Sequence, residues 1–322
     1  MSVITVNHLS HTYDGVRRAV DDVSFDVQAG EIFGLLGPNG SGKTTIVRVL
    51  ATMLAPGDGS ARICNVDVAQ EAANVRRRLG VVFQMPSLDA KLTARENMAH
   101  QGHLYGLRGA SLAARIDEGL ARFDLAERAG ELVEKFSGGM RRRVELAKAL
   151  LHRPSVVIMD EPSTGLDPAA RNDLWRILDT LGEEQGVTIL LTTHLMDEAD
   201  RCDRLAVMAQ GKLVALDTPE ALKSRVGGDV IVVEPDVEPA DTLAAAIGQR
   251  FTGWRHDTAP RVVNERVHME RDHCATFVAE LSAAFANRIK SVTVGRPTLE
   301  DAFLHLTEKP MREAEHADIV RA

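Results

Sequence analysis

Cysteine, aromatic residues and long apolar runs are all scarce in this chain of 322 residues, and each scarcity removes a class of protein. The three cysteines, Cys64, Cys202 and Cys274, are an odd number at spacings that match no paired CxxC metal site. They point to a thiol-reducing compartment and to small packed side chains, not to a disulfide scaffold. Apolar runs such as Val156–Met159 and Thr188–Thr192 fall far short of the ~20 residues that a membrane-spanning helix requires. The amino terminus, Met1-Ser2-Val3-Ile4-Thr5-Val6-Asn7, has no positive patch followed by an apolar stretch, so no signal peptide is expected. Positive charge is also short: 38 Lys and Arg stand against 46 Asp and Glu, a formal net charge of -8. That balance argues against broad, sequence-blind binding of DNA or RNA, and no nucleic-acid partner is expected.

The chain that remains is 44% apolar and 26% charged, an ordinary globular composition. Its length has room for two domains at roughly 100–200 residues each. Short apolar bursts (Ile4-Thr5-Val6; Val20, Val23, Phe25 and Val27; Ile32–Leu36) read as strands separated by turns at Asp14-Gly15 and Ala29-Gly30-Glu31. A helix is expected over Lys43–Leu54, then a strand over Leu79–Phe83. From about 87 to 152 the pattern is helical, with a capping box at Thr93 and Glu96 and helices over Ala113–Phe123 and from Gly138. Strands at Val156–Met159, Val187–Thr192 and Leu205–Met208 follow, with helices Ala169–Glu184 and Met196–Arg201 between them. Strands alternating with helices predict an α/β core with a mainly parallel sheet, interrupted by a helical lobe.

Beyond about Leu222 the character changes. Ser224–Asp229 reads as a linker. Strand Val230–Val233, helix Asp241–Gln249, a further strand around Phe251–Arg255, strand Arg261–Val267, helix His273–Phe285 and strand Ile289–Val294 predict a small α+β, ferredoxin-like domain. The expected boundaries are 1–222, 223–308 and a loose tail over 309–322, with a last helix at Leu299–Leu306.

Chemistry is concentrated in three places. Gly37-Pro38-Asn39-Gly40-Ser41-Gly42-Lys43-Thr44, followed by Thr45, fits the phosphate loop G-x-x-x-x-G-K-[ST]. Its glycines let backbone N–H groups curl around phosphate oxygens, Lys43 can reach the β- and γ-phosphates, and Thr44 can ligate Mg²⁺. Asp160 and Glu161 end the strand Val156–Met159, where an open α/β sheet binds ligands. Because neighbouring strand side chains alternate, the two acids are expected to act differently, Asp160 at Mg²⁺ and Glu161 on the attacking water. Ser137-Gly138-Gly139 opens a helix and forms either a second anion cradle or a plain N-cap.

With Gln84 after its strand, Ser163-Thr164-Gly165-Leu166-Asp167, and His194 after the strand Val187–Thr192, this set resembles the ATP-binding cassette (ABC) ATPases over residues 3–216. The resemblance implies a P-loop NTPase fold with a RecA-like core, an antiparallel β subdomain and an inserted helical lobe. It implies ATP and Mg²⁺ as ligands, and two copies meeting head to tail. Each ATP would then lie between the phosphate loop of one copy and Ser137, Gly138 and Gly139 of the other. Tyr13 would stack on adenine. Gln84 would join the Mg²⁺ shell and carry the nucleotide state into the helical lobe. His194 would contact the γ-phosphate and position Glu161, and Asp167 would cross the dimer interface. One position departs from the family: Met140 stands where many members carry glutamine.

A single cassette without a membrane span implies a separate transmembrane permease and a place on the cytoplasmic face of the cell membrane. Phe136-Ser137-Gly138-Gly139-Met140 with Arg141-Arg142-Arg143, and the ending Val294-Gly295-Arg296-Pro297-Thr298-Leu299-Glu300-Asp301-Ala302-Phe303, resemble ABC-2-type exporter ATPases of the drug-resistance group. The implied function is ATP-driven efflux of a drug, antibiotic or lipid-like substrate, with the carboxyl-terminal domain stabilising or regulating the dimer. An importer ATPase and a soluble ABC ATPase are the alternatives. DNA-repair members carry a long coiled-coil insertion and translation-type members usually two cassettes, and neither is visible here.

Overall fold

Alternating and continuous apolar runs separate this chain into two kinds of sheet. The computed structural model describes residues 1–13, 15, 17–226, 229–252, 254, 259–271 and 274–307. Two compact units, Met1–Thr218 and Pro219–Ala322, each hold their own apolar cluster.

The first unit begins with β1 (Ser2–Thr12), β2 (Arg18–Gln28), β3 (Ile32–Leu36), α1 (Lys43–Leu50), β4 (Asp58–Ile63) and β5 (Val66–Asp67). It continues through α2 (Ala72–Arg78), β6 (Leu79–Val82), α3 (Ala94–Leu104), α4 (Gly109–Arg122), α5 (Gly138–Leu150) and β7 (Val156–Asp160). It closes with α6 (Pro168–Gln185), β8 (Thr188–Thr193), α7 (Met196–Ala199), β9 (Arg204–Ala209) and β10 (Lys212–Asp217). Strands β2-β1-β4-β5 form an antiparallel sheet. The other sheet has the order β10-β9-β3-β8-β7-β6 and is parallel except for β10 at its edge.

Every residue of β3, β7 and β8 is buried, which is why these strands are continuous apolar runs without alternation. One cluster joins Val6, Val23 and Phe25 of the antiparallel sheet to Ile46 and Leu50 of α1 and Phe33 and Ile158 of the parallel sheet. The helix after the phosphate loop is thereby packed between the two sheets. It stops at Leu50 instead of the expected Leu54, because Thr52 turns to φ 60 before Pro56 is reached. Strands β4 and β5 and helix α2 carry no clear periodicity in the sequence and are additions to the expected order.

The helical lobe is anchored locally. Thr93 caps α3 by accepting the Glu96 N–H at 3.1 Å while Glu96 accepts the Thr93 N–H at 2.8 Å, the predicted capping box. At its far end Tyr105 stacks on His152 with ring centroids 3.7 Å apart. His152 Nε2 donates to the Leu79 carbonyl at 3.1 Å, and its other ring nitrogen is buried without a partner among the described residues. Burial lowers its pKa to about 4, with Arg115 adding to the effect. The neutral ring is therefore the folded form, while an unfolded chain protonates it near its ordinary value of about 6.5. Stability from this residue is complete above that value and is lost as pH falls towards 4. Wild-type protein should lose about 1–2 kcal/mol through this group between pH 7 and pH 5, discounted for its partial exposure. Urea unfolding of His152→Phe at the two pH values should show that much less pH dependence.

The second unit contains α8 (Pro219–Ser224), β11 (Asp229–Pro235), α9 (Ala240–Arg250), β12 (Arg261–Val263), β13 (Arg266–Arg271), α10 (Cys274–Ala284) and β14 (Ile289–Gly295). Its sheet has the order β12-β13-β11-β14, antiparallel throughout, the arrangement of a ferredoxin-like β-α-β-β-α-β unit. The strand assignment differs from expectation in two respects. Arg261–Val267 is two strands, not one, because Asn264 and Glu265 adopt φ 49 and 62 and turn the chain into a tight hairpin. Phe251, Thr252 and Trp254 are not in a strand, and the rest of that stretch lies outside the described residues, as do His273, the centre of the expected linker and the tail over 309–322.

Ile231, Val233, Val267 and Met269 share one cluster with Leu243 and Ile247 of α9 and Phe277 and Leu281 of α10. Residues 299–307 form a further helix, opened by a box in which Thr298 and Asp301 exchange hydrogen bonds at 2.9 and 3.2 Å. Asp301 also meets His268 Nδ1 at 3.4 Å. Burial opposes its ionisation, but the bonds from His268 and Thr298 outweigh that and hold the carboxyl below its ordinary range.

Candidate active site

The phosphate loop runs from the end of β3 to the start of α1. Two of its glycines are dictated by space and conformation. A Cβ on Gly37 would lie 2.4 Å from the Met208 carbonyl oxygen. Gly42 has φ 103 and a Cβ there would lie 2.6 Å from the Ala19 oxygen. Lys43, 4% exposed, donates from Nζ to the carbonyls of Gly37 at 2.6 Å and Pro38 at 3.0 Å. Its ammonium is thus held along the loop. Burial lowers its pKa, against the pull of Glu161 and Asp160, so an anionic ligand would be especially favourable there. The Ser41 hydroxyl is buried with no partner among the described residues, a further polar atom that a phosphate ligand fits.

The end of β7 lies beside this loop because β7 and β3 flank β8 in the parallel sheet. Asp160 Oδ1 accepts from Thr44 Oγ1 at 3.2 Å and from Thr192 Oγ1 at 2.7 Å. The same Thr192 hydroxyl oxygen accepts the Glu161 N–H at 2.9 Å. Glu161 has φ 46, a left-handed conformation that non-glycine residues rarely adopt and that turns the chain sharply out of the strand. Its Oε1 lies 3.8 Å from Lys43 Nζ and 3.3 Å from His194 Nδ1. Its Oε2 accepts from Thr164 Oγ1 at 3.2 Å and Gln84 Nε2 at 3.5 Å. Lys43, Thr44, Gln84, Asp160, Glu161 and His194 therefore converge from four separate parts of the chain.

A cleft of ≈ 400 Å³ opens above them, walled by Tyr13, Asn39, Gly40, Thr44, Thr45 and Gln84 among others. Tyr13 is 56% exposed and its hydroxyl reaches Thr45 Oγ1 at 3.2 Å, leaving a ring available for stacking. Ser137, Gly138, Gly139 and Asp167 do not line this cleft. Ser137 caps α5 by accepting the Met140 N–H at 3.2 Å, and Asp167 caps α6 by accepting the Ala170 N–H at 2.9 Å. A Cβ on Gly139 would lie 3.0 Å from that of Ala170, so the two helix starts are close neighbours.

Among the described residues no group of three or more His, Cys, Asp or Glu side chains could hold a metal ion alone. The hydroxyl of Thr44 and the carboxylate of Asp160 are hard oxygen donors. They fit Mg²⁺, which usually takes one or two protein ligands and completes its shell with phosphate and water. The sequence assigns no role to two residues of the site, Thr192 and Thr164. Thr192 is placed by register, directly opposite Asp160 across the β7–β8 pair. In the sequence Thr192 is one of three threonines in Thr188–Thr193, and nothing local distinguishes it from the other two.

Known proteins place this arrangement. The family described as ABC transporter matches residues 20–164. The daunorubicin resistance ATP-binding protein DrrA3 of Streptomyces coeruleorubidus is 40% identical over 98% of this chain and 99% of its own. This chain belongs to the ABC transporter ATPases. A second relative of the ABC subunit, the Nod factor export ATP-binding protein I of Paraburkholderia xenovorans, is 40% identical over 93% of this chain and 95% of its own. The ATP-binding cassette MJ0796, solved as a dimeric post-hydrolysis state bound to ADP and Pi, superposes with a TM-score of 0.61 at 27% identity. The match covers 67% of this chain and 98% of that one. The ABC subunit thus has the RecA-like core, antiparallel sheet and helical lobe of an ATP-binding and ATP-hydrolysing cassette. No helix among its described residues is long and apolar enough to cross a membrane.

Proposed function

We propose that this subunit powers an ABC exporter: two copies close head to tail on ATP, and hydrolysis drives a separate transmembrane permease in efflux of a drug, antibiotic or lipid-like molecule. The observation that carries the reading is near full-length similarity to drug-resistance and Nod factor export ATP-binding proteins, joined to the convergence of Lys43, Gln84 and His194 on Glu161.

In this reading the triphosphate lies in the cleft beneath Tyr13, whose ring stacks on adenine. Loop amides from Gly37 to Thr44, with Thr45, cradle the phosphates, and Lys43 neutralises charge on the β- and γ-oxygens. Thr44, Asp160 and Gln84 would hold Mg²⁺, which when bound would supply charge stabilisation to the triphosphate. Glu161 accepts a proton from the attacking water while His194, at its other side, fixes the carboxylate and contacts the γ-phosphate. Thr192 orients Asp160 and the Glu161 backbone together. From the second copy, Ser137, Gly138 and Gly139 close on the γ-phosphate and Asp167 crosses the interface. The domains proposed are a cassette over 1–222 and a unit over 223–308 that stabilises or regulates the dimer, at the cytoplasmic face of the membrane.

The test is affinity purification of the full chain from detergent-solubilised membranes of its own cell. An integral membrane protein should co-purify and raise ATP turnover. Turnover raised by nucleic acid or ribosomes, and not by the membrane fraction, would instead favour a soluble ABC ATPase.

A further inference from the structure

Among the buried charges of the first unit, Arg142 and Glu145 take no part in the chemistry above. Both belong to α5, are 6% and 4% exposed, and are joined Nη1 to Oε2 at 2.9 Å. An ion pair this deep contributes little net stability, because desolvating two charges offsets their attraction. What distinguishes the pair is where its other bonds go. Arg142 Nη1 also donates to the Phe83 carbonyl at 3.0 Å, and Glu145 Oε1 accepts the Ser87 N–H at 2.8 Å. Lys148, one turn further along, donates to the Ser87 carbonyl at 2.7 Å and hydroxyl at 2.8 Å.

Phe83 and Ser87 flank Gln84-Met85-Pro86, past the end of β6 and of its register with β7 at Val82 and Met159. One helix therefore grips this segment at both ends. Next to Phe83, Gln84 reaches Glu161, while the same helix begins at Ser137. From Ser137 to Glu145 a helix spans only about 12 Å with little room to flex.

We propose that Arg142 and Glu145 form a buckle that fixes Gln84 to α5, so that Gln84 beside Glu161 in one site and Ser137–Gly139 at the other copy's nucleotide are positioned together. The buckle rests on the roles proposed above for Gln84 and Ser137. Arg142 and Glu145 are positioning residues, since neither meets nucleotide.

The test replaces the pair with apolar side chains, Arg142→Met with Glu145→Leu, in the full chain. A buried ion pair exchanged for apolar residues of similar volume is often neutral or stabilising, so the thermal midpoint should hold. ATP affinity should stay within about twofold, while kcat should fall about 10–100-fold through misplacement of Gln84. In a Gln84→Ala background the same pair should lower kcat no further, a coupling that a merely structural role would not produce.

Unchanged kcat in the apolar pair, with kcat lost in Gln84→Ala, overturns the buckle alone. Full multiplicative losses in the triple variant also overturn it. Unchanged kcat in Gln84→Ala removes the role of Gln84 and the buckle with it. Should the apolar pair lower the thermal midpoint, Lys148→Met carries the test. It lifts two bonds from Ser87 and should cost kcat about 3–10-fold, absorbed in the Gln84→Ala background; no such loss overturns the buckle.

Discussion

Glu161→Gln should reduce ATP turnover about 10³-fold while leaving ATP binding intact. The amide has the size of the carboxylate, and its oxygen can still accept from Thr164 or Gln84. It cannot take a proton from water at neutral pH, so only the general-base step is removed. Binding survives because Lys43 keeps its bonds to the Gly37 and Pro38 carbonyls and Asp160 keeps its bonds from Thr44 and Thr192. With closure permitted and hydrolysis blocked, an ATP-held dimer should accumulate, visible as a doubled mass by light scattering on a sizing column. Single-turnover rates check the chemistry directly. Rapid hydrolysis by the variant would take Glu161 out of the base role. A monomer that hydrolyses at full rate would remove the need for Ser137-Gly138-Gly139 of a second copy.

The parts of this site that were legible in the sequence are those where chemistry is local. The phosphate loop compresses its constraints into eight consecutive residues, and the clashes at Gly37 and Gly42 show why those positions admit nothing larger. Asp160 and Glu161 follow a wholly buried strand, whose apolar run announces where it ends. Thr192 is different. Its hydroxyl organises both acids, yet its role depends on the register between β7 and β8, 32 residues from Asp160, which composition does not reveal. The same reason hides the buckle: Arg142 and Glu145 read as ordinary charges on a helix until the fold brings Phe83 and Ser87 against them. In the second unit, Asn264-Glu265 splits one apparent strand into a hairpin because two consecutive left-handed residues fit a tight turn, and neither is glycine. Strands β4 and β5 are not legible in the sequence, because β4 is polar and half-exposed and β5 only two residues long, so their pairing, not their pattern, defines them.

Lys43→Ala should have the other large effect, weakening ATP binding about 100-fold or more and abolishing measurable turnover. The ammonium lies 3.8 Å from Glu161 Oε1 and is attracted by the charges of both Glu161 and Asp160. Without it, Asp160 and Glu161 present two negative charges to an incoming triphosphate, so attraction is replaced by repulsion as well as lost. Lys43→Arg should not restore binding, since a planar guanidinium does not fit where a compact ammonium lies 2.6 Å from the Gly37 carbonyl. The fold should persist. Loss of Nζ leaves two loop carbonyls short of a donor, at about 1 kcal/mol each, but also removes the cost of keeping an ammonium out of water. Calorimetric titration with ATP, beside a thermal melt without it, separates the two effects. Unchanged affinity would show that the loop does not hold the phosphates. A collapse of the melt would show that Lys43 holds the loop together more than it holds the ligand.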